Sequence, residues 1–166
     1  MQLSNKEKML LQDQKKHEEM CIQKYKKYAG EAQDPQLKQL FNYYASQEQQ
    51  HYNTVNQILS GQTPSMGQSG QSGQSGQGQA QMGQETTAAY AMNSGGGGSA
   101  QNSADALMCQ DMLATEKYIS GTYDTSLFEC TQSAVRQALN HIQKEEQQHG
   151  EGLFNYMQSH GMYNVQ

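Results

Sequence analysis

The sequence predicts an all-α protein: a four-helix bundle made of two repeated helical hairpins joined by a long flexible linker. Three observations predict it. Long segments carry apolar residues at three- and four-residue spacing, the period of one helix face. A low-complexity stretch divides these segments into two pairs, and the second pair repeats the first at an offset of 98 residues. Trp is absent and only two prolines occur, so little in the chain breaks helices.

The first helix is expected to begin near Ser4, because Ser4-Asn5-Lys6-Glu7 is a capping box, and to run to about Ala29 or Gly30. The second starts at Asp34-Pro35, an N-cap followed by proline at the first helical position, and runs to about Ser60, with Gly61 as its stop. The third begins near Ser103, carries Asp105 in its first turn and reaches about Cys130. The fourth begins near Thr131 and ends before Gly161. Short connections within each pair make the paired helices antiparallel neighbours. Residues 1–60 are thus one hairpin and residues 103–166 the other, and both complete one bundle.

Between them, residues 61–102 hold eleven of the sixteen glycines, nine glutamines and a single charged residue, Glu85. This composition cannot bury enough surface to offset its ordering entropy, which makes it a flexible tether. Its length allows the hairpins to pair within one chain or to swap between two. Its exposed glutamines, the lysine-rich first helix and the ten tyrosines of the chain are also candidate substrates for isopeptide or dityrosine cross-linking.

The net charge of −5 argues against nucleic acid as a partner. Seven of the eleven basic residues lie between Lys6 and Lys27, interleaved with Glu7, Asp13 and Glu19, which reads as a solvated helix face. The cysteines, Cys21, Cys109 and Cys130, are odd in number and form no C-x-x-C pair, so no disulfide framework is expected. The N-terminus is polar, without a signal-peptide pattern, and no apolar run is long enough for a membrane span. Synthesis in a reducing cytosol follows.

At the 98-residue offset no gap is needed from Gln12 to Leu59, and eleven positions are identical. They include Glu18 with Glu116, Tyr25 with Tyr123, and the run Glu-Gln-Gln-His at 48–51 and 146–149. The second helix has the core stripe Leu37, Phe41, Tyr44, Glu48, His51, Val55, Ile58; the fourth has Val135, Leu139, Ile142, Glu146, His149, Leu153, Tyr156. Glu116 interrupts the stripe Cys109, Met112, Ile119, Tyr123, Leu127, and Glu18 follows the same path beside Leu11, Ile22, Tyr25 and Ala29. Four carboxylates and two imidazoles therefore stand where a core demands apolar groups.

Each buried, unpaired charge costs several kcal/mol. Six of them would exceed the ~5–15 kcal/mol stability of an ordinary domain. Two divalent cations compensate directly, because four carboxylates balance two M²⁺ ions. One Glu from each of two helices plus Glu-x-x-His from each of the others is the ligand set of carboxylate-bridged two-metal bundles. The expected metal ligands are thus Glu18, Glu48, His51, Glu116, Glu146 and His149, and oxygen donors with one imidazole per ion suit iron or manganese. Tyr25 and Tyr123 share a face with Glu18 and Glu116; they either hydrogen-bond ligand carboxylates or are half-buried core tyrosines with wet hydroxyls. Glu31 and Glu129 are expected to pair with Lys38 and Arg136 near the hairpin turns, and His17, His141 and His160 to be surface residues.

The segment DMLATEKYISGTY followed by VRQALNHIQKEEQQHGEGLFNYMQSHGMYN closely resembles the spore coat protein F (Coat F) family of endospore-forming bacteria, with Met162 where that family usually has Trp. The resemblance is strong over the C-terminal hairpin and weaker over residues 1–60. It implies a ferritin-like fold, residence in the spore coat, other coat proteins as partners, and room for a homo-oligomer. The ligand pattern also resembles ferritins, rubrerythrins and manganese catalases. That likeness implies Glu48 and Glu146 as bridging ligands, with Glu18, Glu116, His51 and His149 terminal. Two roles follow from the resemblances. One is a coat component with a di-iron or di-manganese centre; the other is a di-metal redox enzyme acting on hydrogen peroxide or oxygen in spore protection.

Overall fold

The computed structural model describes residues 2–64 and 103–163. Within them the chain forms four α-helices and no strand: α1 (Asn5–Glu31), α2 (Pro35–Leu59), α3 (Ser103–Glu129) and α4 (Ser133–Ser159). The Gly/Gln/Ser-rich stretch expected as a tether lies outside the described residues from position 65 onward. The cross-linking reading of its glutamines lies there too.

Local chemistry sets the helix ends. Ser4 accepts from the Glu7 amide while the Glu7 carboxylate accepts from the Ser4 amide, which completes the capping box of α1. Asp34 caps α2 by accepting from the Gln36 amide, with Pro35 in the first turn. Gly61 and Gly161 adopt φ of 79° and 68° just beyond α2 and α4, a left-handed turn that glycine enters without a Cβ clash. α4 starts without a side-chain cap.

Packing is most intimate within each hairpin, α1 against α2 and α3 against α4, and the hairpins meet chiefly through α1 and α3. Leu11, Leu37, Phe41, Val55, Ile58, Met112, Ile119, Leu139 and Leu153, drawn from all four helices, are fully buried in one shared core. Cys21, Cys109 and Cys130 are free and buried. Among the described residues, no helix is long and apolar enough to cross a membrane.

Glu7 does not belong to a solvated face: it is 1% exposed. Its second oxygen crosses to the other hairpin and accepts from the Thr131 amide and hydroxyl at 2.8 and 3.0 Å. Asp105, also 1% exposed, accepts from the Gln33 and Asp34 amides at the α1–α2 turn. Each hairpin thus ties down the turn of the other. Glu129 pairs with Lys6 of α1, whereas no ion pair joins Glu31 to Lys38 or Glu129 to Arg136 among the described residues.

Candidate metal centre

The six expected ligands converge at mid-bundle, one carboxylate from α1, one from α3, and a Glu-x-x-His pair from each of α2 and α4. Glu18 and Glu48 and Glu146 are 0% exposed, Glu116 1%, His51 2% and His149 3%. They fall into two overlapping groups, Glu18/Glu48/His51/Glu146 and Glu48/Glu116/Glu146/His149, whose ligand atoms lie within 4.8 Å of one another in each group. Glu48 and Glu146 belong to both. Helix geometry explains this: residues three apart lie about 60° apart around the axis, so Glu and His of one pair reach a common centre.

The histidines cross between hairpins. His51 Nδ1 lies 2.9 Å from Glu146 Oε1, and His149 Nδ1 lies 2.9 Å from Glu48 Oε1. The phenols cross too: Tyr25 donates to Glu116 and Tyr123 to Glu18. Neither hydroxyl is wet, because both tyrosines are 0% exposed. Each of these contacts has a counterpart displaced by 98 residues, giving the site local two-fold character.

One oxygen of each carboxylate remains without a hydrogen-bond partner and sealed from solvent: Oε2 of Glu18, Glu48, Glu116 and Glu146. A buried acceptor left unmade costs about 1–3 kcal/mol, more when charged. Burial and mutual repulsion therefore push the carboxyls up; Glu18 and Glu146 both reach about 7, and Glu116 is raised well above its ordinary value. Four orphaned oxygens and two inward imidazole nitrogens, in two groups, are a donor set that fits divalent cations, which would replace the missing protons and partners.

The imidazoles differ in their surroundings. His51 Nε2 lies 2.8 Å from Glu145 Oε2, whose side chain is 27% exposed and reaches the surface His141 at 3.5 Å. Burial alone would lower the basicity of His51, but Glu145, Glu146, Glu18 and Glu48 together raise it. His149 instead has the Tyr44 ring against it, with centroids 4.4 Å apart. Burial dominates there and lowers its pKa to about 4. The Tyr44 hydroxyl sits over Gly152, where a Cβ would come within 1.8 Å of it.

Glu145, Tyr44 and Gly152 are additions to the sequence reading. Glu145 carried one signal, a carboxylate where the offset repeat has Gln47. Gly152 carried none, because its role depends on which ring faces it. His160, read as a surface residue, stacks on Tyr156 and lies 3.4 Å from Asp34. His17 meets Tyr118 edge-on.

Comparison with known families follows the same division. Residues 104–166, carrying Glu116, Glu146 and His149, match the Coat F domain. The matched residues are thus similar to the Coat F family, within the ferritin-like superfamily. Residues 9–88, carrying Glu18, Glu48 and His51, match the rubrerythrin family, so each half of the candidate centre falls within one match. No curated protein and no solved structure matches the chain.

Proposed function

We propose that this chain is a spore coat protein whose ferritin-like bundle holds a carboxylate-bridged pair of iron or manganese ions. The observation that carries the reading is the set of four sealed carboxylate oxygens without partners, in groups that each include one imidazole. Selection for packing alone favours apolar residues at such positions, since replacing buried charges by well-packed hydrophobes is often neutral or stabilising. The match to the Coat F domain supports the coat as the setting, with other coat proteins as partners.

In this reading Glu48 and Glu146, common to both groups, would be shared by the two ions. Glu18 with His51, and Glu116 with His149, complete the two positions. Tyr25 and Tyr123 hold the outer carboxylates in place through their hydroxyl protons. The surrounding Cys21, Met112, Ile119 and Ile142 keep bulk water away.

A second reading rests on the rubrerythrin match over α1 and α2. Here the same centre acts on hydrogen peroxide or oxygen and protects the spore. When bound, a pair of redox-active ions would exchange electrons with peroxide or oxygen; the chain itself supplies the dry pocket, the carboxylates shared by both groups and two phenols that retain their protons, because burial first and neighbouring carboxylates second raise their pKa.

Elemental analysis of protein loaded separately with iron and manganese tests the centre. Two ions per chain are expected, one for each ligand group. Their loss in Glu48→Ala or Glu146→Ala supports the assignment; a metal-free protein whose melting is indifferent to chelator sinks it. Peroxide consumption by the loaded protein then separates the redox role from the purely structural one.

A further inference from the structure

The two ligand groups are copies in sequence but not in surroundings. On one side His51 Nε2 lies 2.8 Å from the Glu145 carboxylate. The carboxylate accepts the Nε2 proton and leaves Nδ1 facing inward, 2.9 Å from Glu146, 3.4 Å from Glu48 and 3.6 Å from Glu18. A carboxylate behind a ligating imidazole fixes its tautomer, orients its ring and raises its basicity. It also adds a negative charge beside the incoming cation.

On the other side the offset repeat puts Gln47 where Glu145 stands, so the charge is missing. The Tyr44 ring lies against His149 instead, held there because Gly152 has no side chain. The repeat places Ile142 and Thr54 at the positions matching Tyr44 and Gly152, so this enclosure occurs on one side only. Glu145 is itself partly exposed and contacts His141, which is 53% exposed.

We infer that the two metal positions are unequal, and that the position built on His51 fills first and holds its cation more tightly than the position built on His149. Glu145 is the positioning residue that creates the difference. The inference rests on the two-metal reading of the centre and deepens it.

Calorimetric titration of the metal-free, full-length protein with Mn²⁺ under anaerobic conditions reads both steps. The parent chain is expected to bind in two steps separated by roughly tenfold or more in affinity. Glu145→Gln is expected to weaken the tighter step by roughly 10- to 100-fold and leave the weaker step in place. A merely structural effect would move both. His149→Ala keeps the tight step and His51→Ala removes it, with cooperative melting checked for each. Equal steps in the parent chain, or a tight step that survives Glu145→Gln, overturn the inequality and leave the two-metal reading standing. Absence of any bound Mn²⁺ or Fe²⁺ overturns the two-metal reading and this inference together.

Discussion

At the scale of single residues, the centre is a place where folding without metal is costly. Glu48 is buried beside Glu116 and two histidines, and burial raises its pKa first of all. Glu48→Gln is therefore expected to abolish metal binding yet raise the melting temperature of the chelator-treated protein, because an uncompensated charge is removed. A lowered melting temperature in chelator would contradict this. Tyr25→Phe has the opposite sign. It strips Glu116 of its donor and is expected to cost about 1–3 kcal/mol in chemical unfolding of the metal-free form. Both positions were visible in the sequence, since a Glu or Tyr on an apolar stripe at helical spacing stands out. That Tyr25 serves Glu116 of the other hairpin was not visible, because periodicity orders residues within a helix and says nothing about which helix faces it.

At the scale of elements, α1 and α3 act as clamps on the opposite hairpin's turn. Glu7 holds the Thr131 amide and Asp105 the Gln33 and Asp34 amides. The Thr131 amide, ahead of the Ser4 contacts, holds the Glu7 pKa down at about 2. Glu7→Gln is expected to lose about 1.5–3 kcal/mol, the usual worth of hydrogen bonds to a charged group, as measured by denaturant unfolding. A change within ~0.5 kcal/mol, as at an ordinary surface site, would show that the clamp is idle. The α4 face near His149 has a steric counterpart. Gly152→Ala drives a methyl into the Tyr44 hydroxyl and is expected to cost about 1–3 kcal/mol, as overpacking does. Tyr44→Phe, which removes that oxygen, is expected to recover part of the loss in the double variant.

At the scale of the whole molecule, the metal-free bundle is expected to respond to pH in a sense opposite to an ordinary acid-denatured protein. Glu18 and Glu146 rise from 4.5 to about 7 on folding, so the native state binds protons that the unfolded chain releases. Their stabilising effect is complete below pH 4.5 and is lost as pH climbs through about 7. His149, lowered from 6.5 to about 4, pulls the other way: its effect is present above 6.5 and lost as pH falls toward 4. The raised carboxyls of Glu48 and Glu116 add to the first trend, so the carboxyls win. Melting temperature in chelator is thus expected to fall between pH 4.5 and 7. In Mn²⁺ it is expected to rise over the same window, because ions displace protons and bind better as these leave. Parallel curves with and without metal would refute that coupling.

The helix count, the helix ends and the six inward polar groups followed from the sequence by itself. Caps and three-to-four spacing are local properties, and two matching copies of Glu-x-x-His exceed what one short motif can say. Only the tertiary structure decided that Glu7 and Asp105 are buried clamps, that each phenol serves the opposite hairpin, and that Glu145 and Tyr44 make unlike neighbours of two like histidines. Those features depend on distances between segments far apart in the chain, where a side chain's role is set by what packs against it and not by its own period.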